Sequence, residues 1–279
     1  MLFDILKAIL FGIVEGVSEW LPVSSTGHLI LFEQIVPLSI SEDPELNLQF
    51  RSMFDVVIQL GAILAVVFLY FKKLNPFNKE NFPLWKKLII ATIPTAVIGL
   101  CADIACEKLF GVDLDTLLFV PQVVASALIV YGIIFILVEK FGKASKIVDR
   151  PVSTREALAI GFFQALAIIP GTSRSGATII GARTLGLDRQ SAAEFSFFAA
   201  IPAILGASAL KLFDFGKFLI QDKATLTLNA LIILAVAFLT AFSVSLLSIK
   251  LLLGFIRKHS FIPFGIYRII LGIIVLFAC

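Results

Sequence analysis

Two short stretches concentrate the residues that could do chemistry. The first holds Glu15, Glu19, Ser24, Ser25, Thr26, Gly27 and His28. Glu15 and Glu19 are four apart, so on a helix they share one face. His28 follows Ser25 by three residues, within one helical turn, a spacing that suits a base taking a proton from a hydroxyl. The second stretch holds Thr172, Ser173, Arg174, Ser175 and Gly176. Hydroxyls in either place also serve as helix caps. The planar guanidinium of Arg174 suits phosphate oxygens taken two at a time. A cation at a helix start faces an unfavourable dipole, and an anion lying between the two removes the conflict. Carboxylates, hydroxyls, an imidazole and an arginine at two helix starts predict an anion site for a phosphorylated ligand.

The elements that position these residues are apolar. Of 279 residues 59% are hydrophobic and only 15% charged, well below the roughly 25% charged residues of soluble domains. Lipid is therefore the expected solvent. A net charge of +3, with basic residues scattered through loops, gives no nucleic-acid-binding stripe. Residues 117–138 and 226–249 carry no charge, and 54–70, 88–105, 195–210 and 261–279 carry at most one charged residue each. Six crossings are expected, since about 20 residues span a bilayer.

Residues 2–32 and 157–187 are apolar but broken, at Leu21-Pro22-Val23-Ser24-Ser25-Thr26-Gly27 and at Pro170-Gly171-Thr172-Ser173-Arg174-Ser175-Gly176. Proline, glycine and hydroxyl side chains interrupt helices there. Each half is too short to cross, so each region predicts a re-entrant hairpin. Under a constant shift of 149 positions Gly12 falls on Gly161, Glu15 on Gln164, Ser24 on Ser173, Thr26 on Ser175 and Gly27 on Gly176. Three spans follow each hairpin. The expected fold is an all-α integral membrane protein, one membrane domain of two repeats, residues 1–140 and 151–279.

Loop charges orient the repeats. Lys72, Lys73, Lys79, Lys86 and Lys87 mark one cytoplasmic loop, and Lys140, Lys143, Lys146, Arg150 and Arg155 a second. Arg257 and Lys258 agree, while the acidic segments 37–53 and 107–115 fit the outside. The repeats are then inverted copies whose breaks meet near the membrane centre. The start lacks the basic region and cleavage site of a removable signal peptide, so the spans are expected to drive insertion. Cys101, Cys106 and Cys279 fit no metal or disulfide pattern and read as small apolar side chains. Asp55, Asp103, Glu194 and Arg268 are further charges within spans; for Asp55 and Glu194 pairing with loop basic residues is the expected role.

Glu15-Gly-Val-Ser-Glu-Trp-Leu-Pro-Val-Ser-Ser-Thr-Gly-His28 and Pro170-Gly-Thr-Ser-Arg-Ser-Gly-Ala-Thr178 resemble the signatures of the bacterial undecaprenyl diphosphate phosphatases, the bacitracin-resistance family. Shorter blocks at 54–61, 193–197 and 263–268 are similar too, so the resemblance covers essentially the whole chain. Trp20 and Ala182 depart from the commoner phenylalanine and glycine. The resemblance implies hydrolysis of undecaprenyl diphosphate to the monophosphate, recycling the carrier lipid for peptidoglycan and other wall polymers, and bacitracin resistance. It implies residence in the bacterial cytoplasmic membrane, a site open to the outer side, and a divalent cation, Mg²⁺ or Ca²⁺. Its functional positions match Glu15, Glu19, Ser25, His28 and Arg174. It leaves room for a homodimer.

The expected mechanism is phosphoryl transfer. Arg174 and the two helix starts, with Ser24, Thr26, Gly27, Thr172, Ser173, Ser175 and Gly176, hold the diphosphate. Ser25 attacks with His28 as base, or Glu19 activates a water instead. Glu19, with Glu15, either positions the metal or orients His28. The rival is a transporter or flippase of a polyisoprenyl phosphate lipid. It would need the same anion site and the inverted repeats, but no nucleophile.

Overall fold

A computed structural model describes residues 2–142, 150–221 and 225–278. Lys143, Lys146 and Cys279, used above, lie outside the described residues. All regular structure among the described residues is helical: α1 (Leu2–Ser18), α2 (Ser25–Ile35), α3 (Pro44–Leu69), α4 (Phe71–Leu74), α5 (Phe82–Phe110), α6 (Leu114–Leu118), α7 (Pro121–Phe141), α8 (Thr154–Ala165), α9 (Arg174–Thr184), α10 (Arg189–Gln221), α11 (Leu228–Ile256) and α12 (Ile262–Ala278). Five of these, α3, α5, α7, α10 and α11, are long and apolar enough to cross a bilayer. The sixth expected crossing is α12, apolar but only 17 residues long. Pro94 and Pro202 lie inside α5 and α10 without ending them, as spans permit when neighbouring helices shield the freed carbonyl.

Outward-facing apolar side chains are numerous. Ile89, Ile93, Val97, Leu100 and Ile104 along α5 are all exposed. At about 25 cal/mol per Å² such a surface would be costly in water and costs nothing in lipid.

Both expected breaks are present. α1 ends at Ser18 and α2 begins at Ser25; α8 and a short 3₁₀ turn (Leu166–Ile168) end before α9 begins at Arg174. The same device starts both second helices. Ser24 and Ser173 hold left-handed backbone angles, with φ of 73° and 68°. Each side chain caps its helix, Ser24 Oγ accepting from Gly27 N at 3.3 Å and Ser173 Oγ from Gly176 N at 3.1 Å. They are the only non-glycine residues with positive φ among those described. Such a conformation costs on the order of 1–3 kcal/mol and persists where surrounding structure imposes it.

The hairpins are held by close packing against long helices distant in sequence. α1 lies along α11, where a side chain at Gly12 would meet Ala237 O at 2.7 Å. α8 lies along α5, where a side chain at Gly161 would run into Ala91 O. α7 and α12 pack together through Gly132 against Gly265 O and Gly272 against Ala125 O, both at 2.8 Å for an added Cβ. Charges at helix ends are paired. Glu139 accepts from Arg183 and Arg189, each at 2.9 Å, tying α7 to the ends of α9 and α10. Glu194 pairs with Lys73 at 3.1 Å, the loop partner expected for it. Asp103 caps the turn before α6 by accepting from Leu114 N at 3.0 Å. At the start of α8, Ser153 and Glu156 form a reciprocal capping box. The bond from Arg150 holds the Glu156 carboxyl down at about 2.

Candidate active site

The two breaks meet. Ser175 Oγ, at the start of α9, donates to Leu21 O of the first break at 3.2 Å. Between them lies a cavity of about 150 Å³, lined by Glu19, Ser24, Ser25 and Thr26 from the first break and by Gly171, Ser173, Arg174 and Ser175 from the second. Gln59 of α3, Ile204 of α10, and Ala167, Ile169 and Pro170 ahead of α9 complete the wall.

Glu19 is the hub. Ser25 Oγ donates to Glu19 Oε2 at 2.8 Å, and Arg174 Nη2 donates to Glu19 Oε1 at 3.0 Å. One carboxylate therefore ties the hydroxyl of one break to the guanidinium of the other. The pair is shielded, with side-chain exposure of 13% for Arg174 and 7% for Glu19, so its charges act through a medium far less polarisable than water. Arg174 was expected to hold an anion at the helix start; here that anion is the Glu19 carboxylate. Its other prong, Nη1, donates to Ser196 O at 2.9 Å, and Ser196 Oγ is 2.6 Å from Thr178 Oγ1, one turn along from Arg174. The guanidinium is thus aimed by α10 as well as by its own helix.

His28 is placed differently from the spacing argument. Its Nδ1 donates to Ser24 O at 2.7 Å, which leaves Nε2 to accept from Tyr267 Oη at 2.7 Å in the neutral ring. The rings of His28 and Tyr267 are stacked, 5.5 Å between centroids. Both line a second, larger and mostly apolar cavity of about 950 Å³ between α1, α11 and α12. No hydrogen bond joins His28 to Ser25 in this structure; the helical turn that brings their backbones close also fans their side chains apart.

Glu15 is fully buried, and neither of its carboxylate oxygens has a hydrogen-bond partner. Gln164, which falls on Glu15 under the repeat shift, does find one, donating to Thr95 Oγ1 at 3.3 Å. Thr172 is likewise buried with its hydroxyl unpartnered. Gly27 and Gly176 act through their backbone N–H groups, which satisfy the two serine caps. Of the expected residues, Glu19, Ser24, Ser25, Thr26, Ser173, Arg174 and Ser175 therefore meet in one cavity, while Glu15, His28 and Thr172 stand outside its lining.

Gln59, Ser196 and Tyr267 were not singled out from sequence. Gln59 carried a signal, as a polar residue one turn from Asp55 in an apolar span. Ser196 and Tyr267 lie in the family-like blocks 193–197 and 263–268, but residue type alone could not show that Ser196 gives its backbone carbonyl to Arg174.

A family model described as bacitracin resistance protein BacA matches residues 8–274. An undecaprenyl-diphosphatase 1 of Clostridioides difficile (strain 630) is 51% identical over 284 residues, covering 99% of this chain and 96% of the relative. An undecaprenyl-diphosphatase of Lachnoclostridium phytofermentans is 48% identical, covering 98% and 96%, and one of Enterococcus faecalis is 46% identical with the same coverage. With the two signature breaks forming one polar cavity inside an apolar helical protein, these matches establish that the chain belongs to the bacitracin resistance protein BacA family.

Proposed function

We propose that the chain is a membrane phosphatase that hydrolyses undecaprenyl diphosphate to undecaprenyl phosphate and phosphate, returning the carrier lipid to wall-polymer synthesis and supporting bacitracin resistance. The observation that carries this is the bond from Ser25 Oγ to Glu19 Oε2, with Arg174 on the other oxygen of the same carboxylate. A carboxylate repels an incoming anion, so its place here counts against a site built for binding alone. A phosphatase has a use for it, as the acceptor of a proton.

The chemistry follows from the geometry. The terminal phosphate enters beside Arg174 and the N–H groups at the starts of α2 and α9, which stabilise charge on its oxygens. Ser25 Oγ attacks phosphorus as its proton passes to Glu19. The P–O bond to the remaining lipid phosphate breaks, and Glu19 passes the proton to the departing phosphate oxygen, so undecaprenyl phosphate leaves and the carboxylate is restored. Water then cleaves the phosphoserine, its proton drawn by the same carboxylate, and phosphate leaves. In the shorter variant Glu19 takes the proton from water directly. His28 holds the first break in shape through Ser24 O and meets Tyr267 at the edge of the apolar cavity.

A divalent cation, Mg²⁺ or Ca²⁺, fits one feature of the chain: the buried Glu15 carboxylate, whose oxygens lack partners. Glu15 and Glu19 are the residues that would hold it. Bound there it would neutralise charge on the diphosphate. No group of three or more His, Cys, Asp or Glu side chains gathers among the described residues, so these two carboxylates are the candidate protein ligands.

The same reading makes residues 1–140 and 151–279 inverted repeats in the bacterial cytoplasmic membrane, with the site open outward. Its support is the reciprocity of packing: α1 with α11 and α8 with α5, and Gly132 on Gly265 with Gly272 on Ala125. A twofold relation between halves produces such matched pairs. Phosphate release from a C55 diphosphate by the purified protein in detergent, with divalent cation supplied, tests the function. Steady release is expected; binding without any release would identify a transporter instead.

A further inference from the structure

Arg268 sits on α12, wholly buried. Its Nη2 donates to Gly171 O at 2.8 Å and to Thr172 O at 2.7 Å, and its Nη1 to Pro22 O at 3.3 Å. All three acceptors are backbone carbonyls in the two breaks, two or three residues ahead of Ser24 or Arg174. Among the described residues no carboxylate pairs with this guanidinium, and its Nε has no partner. A buried cation without a counter-ion is costly in a membrane protein and calls for a purpose.

The surroundings are shaped to admit it. A side chain at Gly176 would come within 2.8 Å of Arg268 Nη1. Gly171 takes a left-handed φ of 90° and lies flush against Val124. The close contact of α12 with α7 fixes the height at which the guanidinium enters. A planar fork reaches carbonyls of two chain segments from two separate nitrogens held in one plane; an ammonium has three donors but on a single nitrogen at the end of a flexible stem.

We propose that Arg268 is a positioning residue for phosphoryl transfer, a clamp that fixes the Ser25–Glu19 half of the site against the Arg174 half. It lies behind the backbone of both breaks and is absent from the lining of the polar cavity. It therefore acts through placement of other groups. Displacements of about 1 Å between reacting groups cost on the order of a hundredfold in rate. The clamp rests on the phosphatase activity proposed above, and each variant is read against the parent's own turnover, so a parent that releases no phosphate would refute that activity rather than the clamp.

The test uses purified full-length Arg268→Lys, Gly176→Ala and the double variant, with phosphate release from C55 diphosphate and thermal melting recorded on each. The expected result is that Arg268→Lys elutes and melts as a folded protein, with kcat lowered about a hundredfold and KM changed little. Gly176→Ala, which pushes on the same guanidinium, should lower kcat in the same way, and the double variant should be no worse than the poorer single one. If Arg268→Lys does not fold, Gly176→Ala carries the test alone: parent kcat in that variant would overturn the clamp. Two other results overturn it as well. A lowered melting temperature with parent kcat would make Arg268 merely structural, and a raised KM with parent kcat would make it a substrate ligand.

Discussion

Replacing Glu19 by glutamine separates its two bonds. The amide keeps the size of the side chain and its hydrogen-bonding reach to Ser25 and Arg174, now 2.8 and 3.0 Å from the carboxylate oxygens, but it cannot take a proton from the hydroxyl. Loss of a positioned base costs roughly 10²–10⁴ in rate, or about 3–5 kcal/mol of barrier. The second consequence has the opposite sign. Arg174 loses its counter-charge in a site where it is only 13% exposed. Stripping one partner from a buried pair costs about 3–5 kcal/mol, and the residual exposure places this case toward the lower end. A bound phosphate anion restores the missing charge, so it should stabilise the variant more than the parent. The assay is phosphate release together with thermal melting in increasing inorganic pyrophosphate. Glu19→Gln should release phosphate at least a hundredfold more slowly, melt lower than the parent, and gain more from pyrophosphate. A rate within tenfold of the parent, or equal gains from pyrophosphate, would refute the assignment of Glu19 as base and as counter-charge to Arg174.

Arg174→Lys keeps the charge but loses the fork that reaches Glu19 and Ser196 O together, and phosphate-release assays should show on the order of a hundredfold loss or more. Gly161→Ala forces a Cβ against Ala91 O and should lower stability in detergent unfolding by about 1–3 kcal/mol, whereas Gly206→Ala, with nothing within 4 Å, should be neutral or stabilising by up to about 1 kcal/mol. In intact cells an impermeant thiol reagent should label cysteines placed in 107–115 and spare those placed in 72–87; labelling of the lysine loop would reverse the proposed orientation.

The membrane architecture was legible because lipid leaves so few options. An uncharged run such as 226–249 has one stable solution in a bilayer, and all but its first two residues lie in α11. The breaks were legible for the same reason: Pro22 and Pro170 with adjacent serines and glycines cannot continue a helix. Their left-handed serine caps were not, since positive φ at a non-glycine residue is imposed by packing that no local pattern reveals. Spacing brought His28 and Ser25 within one turn but could not say where the side chains point. Nδ1 of His28 found the Ser24 carbonyl, and Ser25 found Glu19, six residues before it, across the bend. Arg174 was read as an anion holder, yet its partner in this structure lies 155 positions away, a pairing that only the meeting of the breaks creates. Arg268 stood out as a charge in a span, but its three acceptors are main-chain carbonyls, invisible to any reading of side-chain types.

In the proposed reaction Ser25 is the group whose proton Glu19 accepts. Ser25→Ala removes one oxygen and leaves the cap on α2 intact, because Ser24 supplies it. Phosphate release and binding of C55 diphosphate, measured on the same purified Ser25→Ala protein, test this most directly. Release should fall by several orders of magnitude while the lipid diphosphate still binds, held by Arg174 and the helix starts. An alanine variant that binds and hydrolyses nearly as fast as the parent would contradict the serine mechanism.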